Sequence, residues 1–243
     1  MIKQIGPRSH QPFGVVELRR YVVHPGMRDV LATLFERKFI DSQIECGMTP
    51  IGHFNDLADP NTFVWIRGFE DMKSRLTTLT AFYRQSRVWK ENREAANATI
   101  VDSDNVLLLR PAREGSRFDL EGLDRAARYP DAARSGVVSA MIFLLHSPAD
   151  EEILIFFESK ILKKLRRHGH RIAYFVSEES RNDFPALPVR EDFAFVVIGV
   201  CPTAADAAAW SFMLDFEVFG TMRSRISSVE LLKLEPLPRS LLR

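Results

Sequence analysis

The 243-residue chain is 46% hydrophobic and 27% charged, and its 33 Lys plus Arg offset 32 Asp plus Glu to a formal net charge of +1. This length and apolar fraction supply a sizeable core and exclude a mainly disordered chain. The balanced charge excludes a dominant nucleic-acid footprint, and only two cysteines, Cys46 and Cys201, exclude a disulfide scaffold.

No apolar run approaches the roughly 20 residues of a membrane-spanning helix. The opening residues lack the apolar stretch of a secretory signal. The expectation is a cytoplasmic protein with no integral membrane segment. Residues 1–13 are polar with two prolines and predict a flexible N-terminal arm. Residues 15–23 alternate as a strand, with Val16, Leu18 and Val22 on one side and Glu17, Arg19 and Tyr21 on the other. After Pro25-Gly26 the period changes. Met27, Val30, Leu31, Leu34, Phe35 and Phe39 mark a helical stripe, with a stop at Gly47. Strands follow at 48–54 and 62–69; in the latter Phe63, Trp65 and Arg67 share a side, and Val64 and Ile66 share the other. A helical region at 70–96 carries the apolar series Met72, Leu76 and Leu79, with a break near 84–87. A short strand at 105–110 stops at Pro111. The order β-α-β-β-α-β is ferredoxin-like and buries one sheet face against two helices.

Residues 112–135 are charged and irregular and read as a linker, with a short helix around 120–127. A strand at 136–146 restarts the pattern. Ser147-Pro148-Ala149-Asp150 is a helix-start signature with Ser147 as cap. Ile153, Leu154, Phe157, Ile161 and Leu165 sustain the helix. Strands at 170–176 and 193–200, a helix at 204–216 capped by Thr203, and a strand at 228–234 repeat the order of the first half. The expected class is therefore α+β, with tandem ferredoxin-like domains at 14–111 and 136–236 and a C-terminal tail at 237–243. The two helix-free sheet faces can meet as a barrel within one chain or be covered by another protomer. A homodimer is the expected partner.

Val16-Glu17-Leu18-Arg19-Arg20-Tyr21, with His24-Pro25-Gly26, resembles the opening of the NIPSNAP family. Gly47-Met48, Ile51-Gly52-His53-Phe54 and Asp59-Pro60-Asn61-Thr62-Phe63-Val64-Trp65-Ile66-Arg67-Gly68-Phe69 extend the likeness. It continues through Leu79-Thr80-Ala81-Phe82-Tyr83, Val88-Trp89-Lys90 and 101–111. The resemblance covers 15–111, and the second half resembles a divergent tandem copy. It implies a dimeric α/β-barrel scaffold of ferredoxin-like modules, with no established reaction or substrate. Some relatives are linked to vesicle or mitochondrial processes; the cytoplasmic expectation departs from the latter.

With Glu17, Arg19 and Tyr21 placed on the side away from the helices, they would meet His53, Trp65 and Arg67. Val16, Leu18, Val64 and Ile66 would then pack toward the helices. Arg19 or Arg67 would pair with the carboxylate of a small organic or anionic ligand, Trp65 would stack on it, and Tyr21 would donate a hydrogen bond. His53 is the candidate proton-transfer residue because an imidazole titrates near neutrality. Glu17 would orient it and Arg67 would handle ligand charge. Each residue also has a structural reading: Glu17 as an ion-pair partner of Arg19 or Arg67, Trp65 and Tyr21 as packing, and His53 as a structural histidine. No metal is expected. Asp56, Asp59, Asp102 and Asp104 read as turn acceptors, and His168-Gly169-His170 lacks a third ligand in sequence. The basic run at 163–167 reads as a solvated helix face. Dinucleotide, phosphate-loop and nucleophile-elbow motifs do not occur. The leading functional reading is a small-ligand or protein-interaction module. The alternatives are a cavity enzyme of oxygenase or isomerase type using His53, Glu17 and Arg67, and a purely structural assembly protein. The cofactor is left open, with haem entering only by analogy to barrel enzymes.

Overall fold

Alternating apolar segments become eight strands: β1 Val15–Val23, β2 Thr49–Asp56, β3 Thr62–Phe69, β4 Ile100–Pro111, β5 Val137–Leu145, β6 His170–Ser177, β7 Phe193–Cys201 and β8 Ile226–Pro236. The structure, a computed structural model, describes residues 13–125 and 136–243. The expected arm, apart from Phe13, and the last part of the expected linker lie outside the described residues. Five helices pack on the sheet: α1 (28–45), α2 (72–85), α3 (87–97), α4 (151–165) and α5 (204–222). The α2–α3 break falls at Ser86, whose extended ψ of 128° interrupts the helix while its Oγ accepts from Trp89 N at 3.4 Å. Thr203 caps α5 as expected, accepting from Asp206 N at 3.1 Å. The cap of α4 is Asp150, which accepts from Ile153 N at 3.1 Å, rather than Ser147, which lies too far upstream. Residues 121–122 form a turn and 120–125 contain no helix, where the expected short helix would begin.

The strand order is β1-β3-β2-β8-β5-β7-β6-β4, and β4 closes back onto β1. Each half contributes four contiguous antiparallel strands. The seams are β2–β8, pairing Phe54 with Pro236 and Asp56 with Leu234, and β4–β6, pairing Leu109 with Ser177 and Pro111 with Phe175. Of the two arrangements that the sequence leaves open, the structure therefore shows the barrel closed within one chain. The β-α-β-β-α-β order occurs in both halves.

The barrel interior is one apolar core built from both halves. Val16, Leu18, Val64 and Ile66 meet Val138, Ile142, Val196 and Ile198 inside it. Phe118 and Leu120 of the expected linker, and Leu241 and Leu242 of the expected tail, are buried in the same core. Leu237 N donates to His53 O at 3.0 Å and Leu241 N to Ile51 O at 3.1 Å, so the final segment follows β2 rather than trailing away. A side chain of this kind contributes about 1.5–3 kcal/mol when fully buried, which favours filling the lumen with protein over keeping it wet. Two further clusters lie outside the sheet, beneath the helices of each half.

All four long helices contain one wider, π-type turn: Phe35–Phe39, Ala81–Gln85, Phe157–Leu162 and Asp215–Phe219. Such a turn carries an extra residue and rotates the buried stripe. In α1 the stripe passes from Leu31 and Phe35 to Phe39, Ile40 and Gln43, leaving Val30 52% exposed.

Close packing inside the barrel is concentrated at Gly52. A Cβ there would lie 2.2 Å from Phe54 Cζ, a ring that is itself fully buried. Gly52→Ala should therefore lower stability by about 1–3 kcal/mol, read from urea unfolding.

Candidate functional site

The alternation of β1 and β3 is as expected, but the assignment of their faces is reversed. Val16, Leu18, Val64 and Ile66 point into the barrel, whereas Tyr21, Phe63, Trp65 and Phe69 pack with Leu31, Phe35 and Phe82 of the helices. Glu17, Arg19 and Arg67 share this helix-facing side, and all three are fully buried. Register builds the site. Glu17 lies opposite Arg67 and Arg19 opposite Trp65 across β1–β3, and His53 lies opposite Trp65 across β2–β3.

Glu17 is the centre of the cluster. Its Oε2 accepts from Arg19 Nη1 at 2.9 Å and Arg67 Nε at 2.7 Å, with Arg67 Nη2 at 2.6 Å. Its Oε1 accepts from Arg75 Nε at 2.7 Å, with Arg75 Nη2 also at 2.7 Å. Burial alone would raise the Glu17 pKa, but Arg67, Arg19 and Arg75 outweigh it and hold the carboxyl far below the usual carboxylate range. Glu17 is thus a permanent counter-ion. Arg19 Nε donates to Tyr21 Oη at 3.0 Å, and Arg67 Nη1 donates to Tyr83 Oη at 3.3 Å. The Arg67 and Arg19 guanidiniums lie 4.7 and 5.5 Å from the Trp65 ring, within cation–π range. Asp183 adds one further carboxylate, bonded to Arg75. Three guanidiniums therefore face two carboxylates; among the described residues Arg19 Nη2 and Trp65 Nε1 are buried without a hydrogen-bond acceptor, as are Arg67 Nη2 and Arg75 Nη2, which lie within ion-pair range of Glu17.

His53 shares the face but has a different partner. Its Nε2 lies 3.4 Å from Glu36 Oε1, and the Phe35 ring sits 5.6 Å from the imidazole and 4.9 Å from Trp65. The carboxylate in reach of His53 is Glu36, where the sequence suggested Glu17. Burial pushes the His53 pKa down to about 4 against the pull of Glu36, and Arg125 and Arg239 add to the lowering. At neutral pH the ring is uncharged.

The structure thus gathers Glu17, Arg19, Tyr21, Trp65 and Arg67, with His53 beside Trp65, and adds Arg75, Tyr83, Glu36, Asn182 and Asp183. Arg75 went unread because Met72, Leu76 and Leu79 suggested the buried stripe of α2. The observed stripe is Arg75, Thr78, Leu79 and Phe82, and Leu76 is 41% exposed. The spacing of Arg75 from Leu79 and Phe82 is itself helical, so a cation in that stripe was the available signal. Among the described residues, the second half has no equivalent cluster. Ser139 and Met141 stand where Glu17 and Arg19 do, and Gly199 pairs with Ser139 as Arg67 pairs with Glu17. Ala207 follows the Thr203 cap as Arg75 follows the Asp71 cap, and Trp210 packs against Gly199.

Residues 16–113 match the NIPSNAP family model. Among curated proteins, none matches the chain. Among solved structures, a protein from Lactobacillus acidophilus, provisionally described as a monooxygenase, has a TM-score of 0.54 at 11% identity, covering 93% of this chain and 94% of its own. A similarly described protein from Fusobacterium nucleatum has a TM-score of 0.55 at 10% identity, covering 94% of each chain. Both share the fold. An uncharacterised NIPSNAP-like domain protein from Burkholderia xenovorans is 25% identical over 43% of this chain and 90% of its own, with a TM-score of 0.39. No described helix is long and apolar enough to cross a membrane, and the described residues contain no cluster of metal-ligating side chains.

Two outcomes follow from this chemistry. Glu17→Gln removes the only carboxylate shared by the three arginines and should lower stability by about 3–5 kcal/mol at pH 7, measured by denaturant unfolding. His53 has a folded pKa near 4 against an ordinary 6.5, so its contribution is fully present above pH 6.5 and is lost as pH falls toward 4. Stability of the wild type should therefore decline through that window by up to about 1.4 kcal/mol per pH unit more steeply than stability of His53→Gln, measured by unfolding at stepped pH.

Proposed function

We propose that this chain is a small-ligand-binding module whose ligand is a planar organic anion, held on the helix-facing side of β1 and β3. The observation that carries this reading is the donor surplus: three buried guanidiniums against one fully buried carboxylate, with Arg19 Nη2 and Trp65 Nε1 lacking acceptors among the described residues. An uncompensated buried cation is costly, and a carboxylate supplies both the charge and the acceptors. Trp65 and Tyr21, packed edge to face at 5.9 Å, offer the aromatic surface beside it. Arg19, Arg67, Tyr21 and Trp65 are the proposed contacts, with His53 as a neutral neighbour.

The enzyme alternative assigns proton transfer to His53 and Glu17. Glu17 is engaged by three arginines and His53 is a weak base, so binding accounts for these residues more directly than acid–base catalysis. We read the two halves as a tandem duplication, supported by their matching element order and by the wider turn in each long helix. With the barrel closed within one chain, the homodimer we retain would associate through helices. The Phe212 and Phe216 rings on α5, stacked at 5.9 Å and about 70% exposed, suit that role. A cytoplasmic location is kept as part of the same reading.

Benzoate is a suitable probe. It should bind the full chain in calorimetric titration and perturb tryptophan fluorescence. Arg19→Met, which removes the charge-assisted donor, should weaken binding by at least about tenfold, and Trp65→Phe, which keeps a ring but removes the indole donor, by less. Lys163→Met, on a remote helix face, should leave it unchanged. Equal binding in all four proteins would overturn the assignment.

A further inference from the structure

We propose that the Nη1 edge of Arg75 is a carboxylate subsite, filled in this structure by Asp183, and that a ligand carboxylate takes it by displacing the loop 178–192. This rests on reading the arginine cluster as an anion site. Arg75 spends Nε and Nη2 on Glu17, which fixes the guanidinium plane and leaves the Nη1 edge facing away from that carboxylate. Nη1 donates to Asn182 Oδ1 at 3.1 Å and to the carboxylate of Asp183. The Arg75 side chain is fully buried, whereas that of Asp183 is 24% exposed. The loop acid therefore reaches the cation from the solvent side, the direction from which a dissolved carboxylate would arrive.

The loop spans two anchored ends. Glu178 N donates to Leu108 O at 2.9 Å and Arg190 N to Val106 O at 2.8 Å, which ties both ends to β4. Between them the chain has no helix or strand and contains Pro185 and Pro188. Its contacts with the first half include Asn182 and Asp183 on Arg75, Phe184 buried in the core beneath the helices 6.1 Å from the Tyr83 ring, the Arg84 guanidinium 5.5 Å from Phe184, Arg110 on Glu179 and Arg190 on Asn105. Tyr83 also accepts from Arg67, so Phe184 covers a side chain of the charge cluster. A hollow of about 540 Å³ on the other side of the loop is lined by Asn182, Pro185 and Pro188 together with Leu108 and Val176, and not by Arg75 or Asp183.

Charge decides why exchange is feasible. Replacing Asp183 by a ligand carboxylate keeps the number of charges on Arg75 constant. The loop acid is then an internal competitor, and apparent affinity is reduced by the fraction of chains in which it is seated.

The test is calorimetric titration of benzoate into the full-length wild type and Asp183→Ala, with hydrogen exchange of residues 178–192 followed with and without benzoate. Circular dichroism melts establish that both proteins are folded; Asp183 is partly exposed, so the variant is expected to fold. The expected result is benzoate affinity about tenfold tighter in Asp183→Ala, and faster exchange of the loop in the wild type when benzoate is bound. Unchanged or weaker affinity in Asp183→Ala, with wild-type binding intact, would overturn the subsite and leave the arginine-cluster reading standing. Benzoate binding to neither folded protein would overturn both.

Discussion

A carboxylate sealed between a sheet and a helix is intolerable unless cations surround it, and Glu17 is placed in that position. Its three guanidinium partners come from β1, β3 and α2, so the ion cluster can be satisfied only when those elements meet in one arrangement. Sliding α2 by a turn would withdraw Arg75, and slipping β3 by a residue would turn Arg67 into the barrel. Apolar contacts under the same helices tolerate small adjustments; hydrogen-bonded charges do not. The cluster is therefore better understood as a device that sets register than as a source of surplus stability, because desolvation of four ions consumes much of the Coulombic gain.

The barrel follows a different logic. Once the lumen is filled by Val, Ile, Leu and Phe side chains from both halves, polar chemistry has no place there. It moves to the space between sheet and helices, where backbone rises around it and long side chains reach across. The aromatic rings of Trp65, Phe35 and Tyr83 line this layer, and the loop from the second half completes its cover.

Much of the scaffold was legible in the sequence. Strict alternation set the bounds of β1 and β3, and the paired order of elements announced two similar halves. The facing of the strands was not legible, because alternation separates two sides without naming the inner one. Here both sides are buried, and charged residues, which normally mark the wet face, sit under helices. The grouping of Glu17, Arg19, Tyr21, Trp65 and Arg67 survived this inversion because period two keeps them together whichever way they point. Their other partners were hidden for reasons of distance and of period. Asp183 lies 108 residues from Arg75 in sequence, and Arg75 stands in a buried stripe offset by one residue from Leu76 of the apolar series. Glu36 was overlooked as a partner of His53 because it lies outside the apolar stripe Met27, Val30, Leu31, Leu34, Phe35 and Phe39.

Fusion of the two sheets into one closed chain has a stoichiometric consequence. Two identical modules meeting as a symmetric pair would each carry the same ionic centre, giving two per barrel. Here Ser139, Met141, Gly199 and Ala207 replace the ionic set on the opposite side, and an indole fills the space. Each barrel consequently carries the Glu17 ionic centre on one side only among the described residues, and the other half's equivalent positions serve packing.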